Sequence, residues 1–89
     1  MKAIVTVIGE DKVGIIANIS TVLAKYHVNI LDISQTILQE YFTMMMLVDL
    51  TAMDISLAQL KAELDTVGHK LGVSVVTQHE DVFKSMHRI

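Results

Sequence analysis

The sequence contains no cysteine and no proline. The missing cysteine excludes disulfide bonds, thiol catalysis and thiolate metal sites together. Positive charge is also scarce, with 7 lysines and arginines against 10 acidic residues, so the net charge of −3 does not favour nucleic acid as a partner. No apolar run approaches the roughly 18 residues of a membrane span, and the chain opens without a signal-peptide pattern. We therefore expect a cytoplasmic protein without a membrane or nucleic-acid partner.

The chain is short and apolar. Its 89 residues suffice for one domain, residues 1–89, and 52% of them are hydrophobic, which is too apolar for a disordered chain. A domain of this size buries only roughly 60–65% of the surface that its unfolded chain exposes. A partner subunit would therefore add stability.

Apolar patterning divides the chain into seven elements. Strands are predicted at 2–8, 30–38, 41–50 and 73–78, and helices at 13–26, 57–71 and, as a short amphipathic segment, within 80–89. The first six elements follow the order β-α-β-β-α-β, with a hairpin tip at 39–40. Two right-handed crossovers then give a four-stranded antiparallel sheet with two helices on one face, the ferredoxin-like α+β sandwich. Many functions share this architecture, so the fold alone assigns none.

Local signals mark the ends of the helices. Ser56 followed by Gln59 has the capping-box pattern, and Gly72 stands where a helix commonly ends in a left-handed residue. Gly68 lies inside the second helix at a cost of about 1 kcal/mol relative to alanine, so we expect a close approach or a bend there. Asp11 is the predicted N-cap of the first helix.

The third strand is apolar on both of its faces. One face carries Phe42, Met44, Met46 and Val48, and the other carries Met45 and Leu47. A sheet with helices on one side should have a polar outer face. We therefore expect another surface, most simply a second subunit, to cover the open face or its edge.

The segment GEDKVGIIANIS, residues 9–20, joins the first strand to the first helix. Helix N-termini carry free amides and a partial positive charge, and they attract carboxylates. Gly14 would let a ligand come close, and Asp11 could pair with an ammonium group. Amides on one side and a carboxylate on the other suit a zwitterion, which points to a free amino acid. In the structural alternative, Gly9 makes a turn, Asp11 caps the helix and Gly14 allows close helix–sheet packing.

At these residues the sequence resembles the ACT domain family, the small-molecule-sensing modules of amino-acid metabolism. The resemblance covers almost the whole chain, through GEDKVGIIANIS, HVNILDISQTI and YFTMMMLVDL, and it is closest to the stand-alone, single-domain bacterial members. It implies a homodimer whose ligand lies between the first loop of one chain and the second strand of the other. Carried over, the ligand-binding residues are Asp11, Val13, Gly14 and Ile15 at the loop, with Asn29 and Ile30 opposite. The family's commonest loop has proline where Val13 stands, which changes loop stiffness more than chemistry.

Other chemistries fit the sequence less well. The histidines, His27, His69, His79 and His87, lack the spacing of a recognised metal site, so we expect no metal and no cofactor. Metal chaperones of this fold need paired cysteines, acylphosphatases need an arginine in the first loop, and RNA-binding sheets need an aromatic residue on the first strand. The single arginine is Arg88, in the tail. Asp32 and Asp49 could approach each other on the open face, where we expect them to face solvent, so no catalysis is predicted.

Two functions remain open on the sequence. The first is a non-catalytic regulatory module, a homodimer that binds an amino acid or a similar small carboxylate. The second is a protein-interaction module that docks a metabolic enzyme or regulator through its exposed sheet edge or face, without any small ligand.

Overall fold

The computed structural model describes residues 1–10 and 13–86 of the chain. Its elements are β1 (Lys2–Glu10), α1 (Ile15–Lys25), β2 (Asn29–Leu38), β3 (Tyr41–Asp49), α2 (Leu57–Leu71), β4 (Val73–His79) and α3 (Glu80–Met86). The sheet has the strand order β2-β3-β1-β4, and every pair of neighbouring strands is antiparallel. The predicted ferredoxin-like α+β sandwich is therefore confirmed.

One face of the sheet forms the core with α1 and α2. On this face β1 and β3 pair their buried residues directly, with Ala3 opposite Val48 and Val5 opposite Met46. The helices add a matching apolar stripe. Its buried members are Ile15, Ile19 and Leu23 of α1 and Leu60 and Leu64 of α2. The helix spacing in the sequence predicted this stripe, because residues three and four apart share one side of a helix.

The ends of α2 form as the sequence predicts. The Ser56 hydroxyl accepts the Gln59 amide at 3.1 Å, and the Gln59 side chain accepts the Ser56 amide at 3.0 Å, which completes the capping box. Gly72 ends the helix in the left-handed conformation. The tail helix also forms, although its predicted contact residue Ile89 lies outside the described residues.

The start of α1 differs from the prediction. The helix begins at Ile15 and its N-cap is Gly14, so the assignment of the N-cap to Asp11 is wrong; Asp11 itself lies outside the described residues. The loop offers several polar residues as caps, but only a residue at φ 91° lets the chain turn into the helix here. Glycine adopts that conformation without a steric penalty.

The end of β1 also differs from the prediction. Gly9 makes no turn, because the strand continues through it to Glu10. Gly9 lies opposite Val73 of β4, where a Cβ atom would stand 2.7 Å from the Val73 Cγ1 atom. The glycine therefore serves the close contact between β1 and β4.

The far end of α1 closes with a Schellman motif. The amide of Val28 donates to the carbonyl of Leu23 at 2.9 Å, and the amide of His27 donates to that of Ala24 at 3.1 Å. His27 holds the left-handed position, with φ 61°, and its Nδ1 lies 3.2 Å from the Asp54 carboxylate. The motif fixes where β2 begins.

Gly68 provides a test of the helix–sheet packing. A Cβ atom there would lie 2.7 Å from Val75 Cγ2 and 3.0 Å from the Val73 carbonyl oxygen. We expect Gly68→Ala to lower the free energy of unfolding by about 1–3 kcal/mol, as overpacking does, although alanine has the better helix propensity. Urea denaturation measures the change. The control is Thr66→Ala, at an exposed position of the same helix, which should be neutral or stabilising; equal effects of the two variants would contradict the close contact.

Candidate functional site

The first turn of α1 offers free backbone amides. Its cap, Gly14, has no side chain, and the first turn contains no acidic residue. The Gly14 carbonyl is occupied, since it accepts the Asn18 amide at 2.9 Å and the Asn18 side-chain Nδ2 at 2.7 Å. Among the described residues, no side chain accepts from the amides of Ile15 and Ile16. The helix end therefore keeps the donors that a carboxylate would need.

The predicted loop residues differ in what they can offer a ligand. The side chain of Val13 is fully exposed, Gly14 is half-buried, and Ile15 is 2% exposed because its side chain lies in the core. Around a Cβ atom built at Gly14, the one neighbour within 4 Å from the described part of the chain is the Asn18 side-chain amide, at 3.2 Å. Val13 could thus contact a ligand through its side chain, whereas Ile15 could do so only through its backbone amide.

The start of β2 places Asn29 in a row of polar residues. Asn29 pairs with Asp49 of β3, which in turn pairs with Lys2 of β1. Thr51 donates to Asp49 Oδ1 from its hydroxyl at 2.6 Å and from its amide at 2.9 Å. These hydrogen bonds, the hydroxyl's first, lower the pKa of Asp49, with smaller contributions from the N-terminus and Lys2. Asp49 is therefore held ionised beside Asn29.

The two halves of the predicted site lie at opposite ends of the sheet. Asn29 belongs to the row of Lys2, where β1 starts, whereas the loop that leads to Gly14 leaves the other end of β1, at Glu10. The eight residue steps of β1 between these ends span about 27 Å. A single chain therefore cannot bring Asn29 and Gly14 to one small ligand.

The strand β2 is an open edge of the sheet. All of its ten residues except the half-buried Ile30 are exposed, and its apolar side chains stand on both faces. Those more than two-fifths exposed are Leu31, Ile33, Ile37 and Leu38. The strand contains no lysine or proline, the residues that commonly prevent edge pairing, although it has a bulge between Ile30 and Asp32. This edge is suited to pairing with another strand.

The outer face of the sheet is partly apolar. The predicted division of β3 is confirmed: Phe42, Met44, Met46 and Val48 are buried, while Met45 is 36% exposed and Leu47 is half-buried on the other face. Ile8 and Val76 are also exposed on this side, at 51% and 45%. What covers the face stays a prediction.

No constellation of catalytic or metal-binding residues forms in residues 1–10 and 13–86. In these ranges no group of three histidine, aspartate or glutamate side chains comes together, and no helix has the length and apolarity to cross a bilayer. Asp32 and Asp49 lie on the same face of adjacent strands, and each is bonded locally, Asp32 to the amide of Ile33 and Asp49 to Thr51.

Comparison with known proteins agrees with this geometry. A family model described as the ACT domain matches residues 2–78. This chain belongs to the ACT domain family. Members of the family are generally regulatory modules that bind small ligands.

The relatives of this ACT domain are of its own length. It is 61% identical to a UPF0237 protein of Clostridium acetobutylicum over 89 residues, which is all of both chains. It is 54% identical to a UPF0237 protein of Methanocaldococcus jannaschii over 88 residues, 99% of this chain and 98% of the other. A solved structure, an ACT domain protein from Streptococcus pneumoniae, is 43% identical, covers 94% of both chains and superimposes with a TM-score of 0.81.

Two supporting residues of the site were missed on the sequence. Asn18 holds the Gly14 carbonyl from the next turn of α1, and Thr51 holds Asp49 from the loop after β3. The signals were weak, because an asparagine four residues after a glycine, or a threonine two residues after an aspartate, often forms no such hydrogen bond.

The hydroxyl of Thr51 can be tested directly. We expect Thr51→Val to raise the pKa of Asp49 toward its ordinary value of 3.8, because the leading cause of the lowering is lost. In the native chain, ionised Asp49 stabilises the fold at pH values above the pKa of this carboxyl in the unfolded chain. This stabilisation is lost as the pH falls through the lower pKa of the folded state. An NMR titration of the carboxyl carbons measures the shift, with Thr66→Val as control, since that hydroxyl donates only to the Ala62 carbonyl. An unchanged Asp49 titration would refute the assignment.

Proposed function

We propose that this ACT domain is a non-catalytic regulatory module of the cytoplasm, a homodimer that binds an amino acid or a similar small carboxylate at its subunit interface. The observation that supports it most is the first turn of α1, where Gly14 is the left-handed N-cap and no side chain of residues 1–10 or 13–86 caps the backbone amides. Family membership and the open β2 edge support the same proposal from independent directions.

The proposed dimer pairs the two β2 strands antiparallel about a two-fold axis. Antiparallel pairing sets the start of one β2 against the end of the other, so Asn29 and Ile30 come to the end of the partner's sheet where its loop enters α1. The placement of the two halves at opposite ends of β1 within one chain then becomes a reason for dimerisation. Each dimer would contain two equivalent sites, each with residues from both chains.

In the proposed site, both chains of the dimer contact the ligand. The amides of Ile15 and Ile16 would donate to its carboxylate, as helix N-termini do to anions. Across the interface, the side-chain oxygen of Asn29 could accept from the ammonium group, and the ionised Asp49 lies beside it in the same row. Asp11 remains the predicted acidic partner on the loop side. The ligand side chain would meet Val13 and Ile30.

Regulation would follow from the shared site. A ligand that contacts two subunits binds the assembled dimer better than the separate chains, so it shifts the population toward the dimer or toward one arrangement of it. A downstream enzyme or regulator could then respond to the dimer. The alternative function, docking of a protein without any small ligand, is favoured by a different observation, the apolar outer face.

A thermal-shift screen against the standard amino acids tests ligand binding. A ligand at 100 times its dissociation constant should stabilise the protein by about 2.7 kcal/mol.

The exposed Val13 allows a paired test by charge: Val13→Asp should weaken binding of the carboxylate about tenfold or more, and Val13→Lys should maintain or strengthen it. Unlike a valine at Gly14, which the φ of 91° would strain, neither variant disturbs the fold.

The outcomes of this screen separate the two functions. If no amino acid shifts the melting of the native protein, the sensing proposal fails and the docking function remains. If binding occurs but both Val13 variants retain it equally, the ligand lies elsewhere than at α1.

The β2 edge can be tested separately. We expect Ile37→Lys to convert the dimer to a monomer, because a lysine at 57% exposure on an edge strand opposes pairing with a second strand. Sedimentation equilibrium measures the mass. The matched control is Ser74→Lys, an exposed position on the opposite edge strand β4, which should stay dimeric. A monomeric native protein, or a dimer that survives Ile37→Lys, would contradict the proposed interface.

A further inference from the structure

The outer face of the sheet contains an open depression of about 200 Å³. Its lining comes from three neighbouring strands: Ile4 of β1, Met45, Met46 and Leu47 of β3, and Asp32 and Ser34 of β2. Cross-strand pairing explains the grouping, since Leu47 lies opposite both Ile4 and Asp32. The depression therefore has an apolar floor with a carboxylate and a hydroxyl on its β2 side.

Asp32 has no cationic partner within residues 1–10 and 13–86. Its Oδ1 atom accepts the amide of Ile33 at 2.9 Å, and no lysine, arginine or histidine of those ranges forms an ion pair with it. The other aspartate of this face, Asp49, is by contrast bonded twice by Thr51. Asp32 thus presents negative charge at the border of an apolar surface.

We propose that this depression is the anchor point for a protein partner, and that it receives an arginine or lysine side chain flanked by aliphatic residues. The stem of such a side chain covers apolar surface while its charged end reaches a carboxylate. Arginine suits the position best, because its guanidinium can donate to the Asp32 carboxylate and the Ser34 hydroxyl together.

Charge complementarity selects a basic partner over a second copy of this chain. Among the residues of the four strands, the charged side chains on the outer face are those of Lys2, Glu10, Asp32 and Asp49, so acidic groups outnumber the lysine. The whole chain has a net charge of −3. Two such faces brought together would set six carboxylates, three from each, against two lysines, and a carboxylate buried without a cation is costly.

The shape of the surface selects a protein over a free small molecule. Pockets for small ligands typically enclose about 300–1,000 Å³ and bury most of the ligand, and this depression is smaller and open. Its apolar floor lies on the same face as the exposed Ile8 and Val76. An anchor side chain within a wider apolar contact is the usual arrangement of a protein interface.

The anchor does not depend on the proposed amino-acid site. It faces away from α1 and α2, whereas the amino-acid site uses the first turn of α1 and the edge of β2. The two sites share no residue, so one protein could carry both, although Asn29 and Asp49 of the amino-acid site lie on the same face as the anchor.

The probe for the test is a library of random twelve-residue peptides displayed on phage and selected on the intact protein. We expect the selected peptides to share an arginine or lysine next to aliphatic residues. A synthetic copy should shift the NMR amide signals of Ile4, Asp32, Ser34, Met45 and Leu47. Replacing its arginine by citrulline, a neutral isostere, should weaken binding about tenfold or more, as the loss of a charge-assisted hydrogen bond does. Asp32→Asn should have the same effect.

The matched control is Glu10→Gln, an acidic residue at the far end of the same face, which should retain the affinity of the native protein. The proposal is overturned if the selected peptides lack a cation, if they bind Asp32→Asn as tightly as the native protein, or if they shift signals elsewhere. It is also overturned if raising the protein concentration alone shifts the signals of Ile4, Met45 and Leu47, which lie away from the β2 edge, since a second copy then covers the face. Equal affinity for the capped arginine residue alone and for the whole peptide would reassign the depression to a small molecule.

Discussion

The antiparallel pairing of β1 with β3 is the constraint on which the rest of the molecule depends. Nine consecutive residue pairs, from Lys2 with Asp49 to Glu10 with Tyr41, hold the centre of the sheet. Because side chains alternate across a strand, this register decides which residues face the helices and which face outward. The register also fixes where the neighbouring elements begin. The loop to α1 leaves one end of the β1–β3 pair, and β2 begins beside the opposite end. The division of the candidate site follows from this register.

Because the domain is small, part of its sheet stays uncovered. A short chain with one core leaves an edge strand with exposed isoleucines and a sheet face that the helices do not cover. In a larger protein these surfaces would be covered by further elements of the same chain. We propose a different neighbour for each, a second copy for the edge and an unlike protein for the outer face. Membership of the ACT domain family accords with such a role, since the family consists generally of regulatory modules.

The sequence predicted what local signals and periodicity control. The capping box of Ser56 and Gln59, the terminal Gly72 and the alternation of β3 all lie in short segments whose physical preferences agree with the final fold. The predictions that were wrong concern positions where tertiary contacts determine the local conformation. On the sequence alone, Gly9 indicates the end of a strand, whereas in the structure it lies within the strand, close to Val73. The polar loop indicates a side-chain cap for α1, whereas in the structure Gly14 is the N-cap in the left-handed conformation. The candidate residues could be named from the sequence and the family resemblance, but their separation in one chain needed the strand register, which is not local.

The Schellman motif at the end of α1 has a mechanical consequence. Three residues, Tyr26, His27 and Val28, join the eleven-residue helix to β2, and the amides of the last two are bonded back to the last turn. This joint has no slack, so α1 acts as a stiff rod of about 16 Å with Gly14 at one tip and Asn29 just beyond the other. We expect a displacement of the first tip to reach the second. In the proposed two-fold pair, those tips would belong to different ligand sites, so a ligand bound in one site would affect the other through α1.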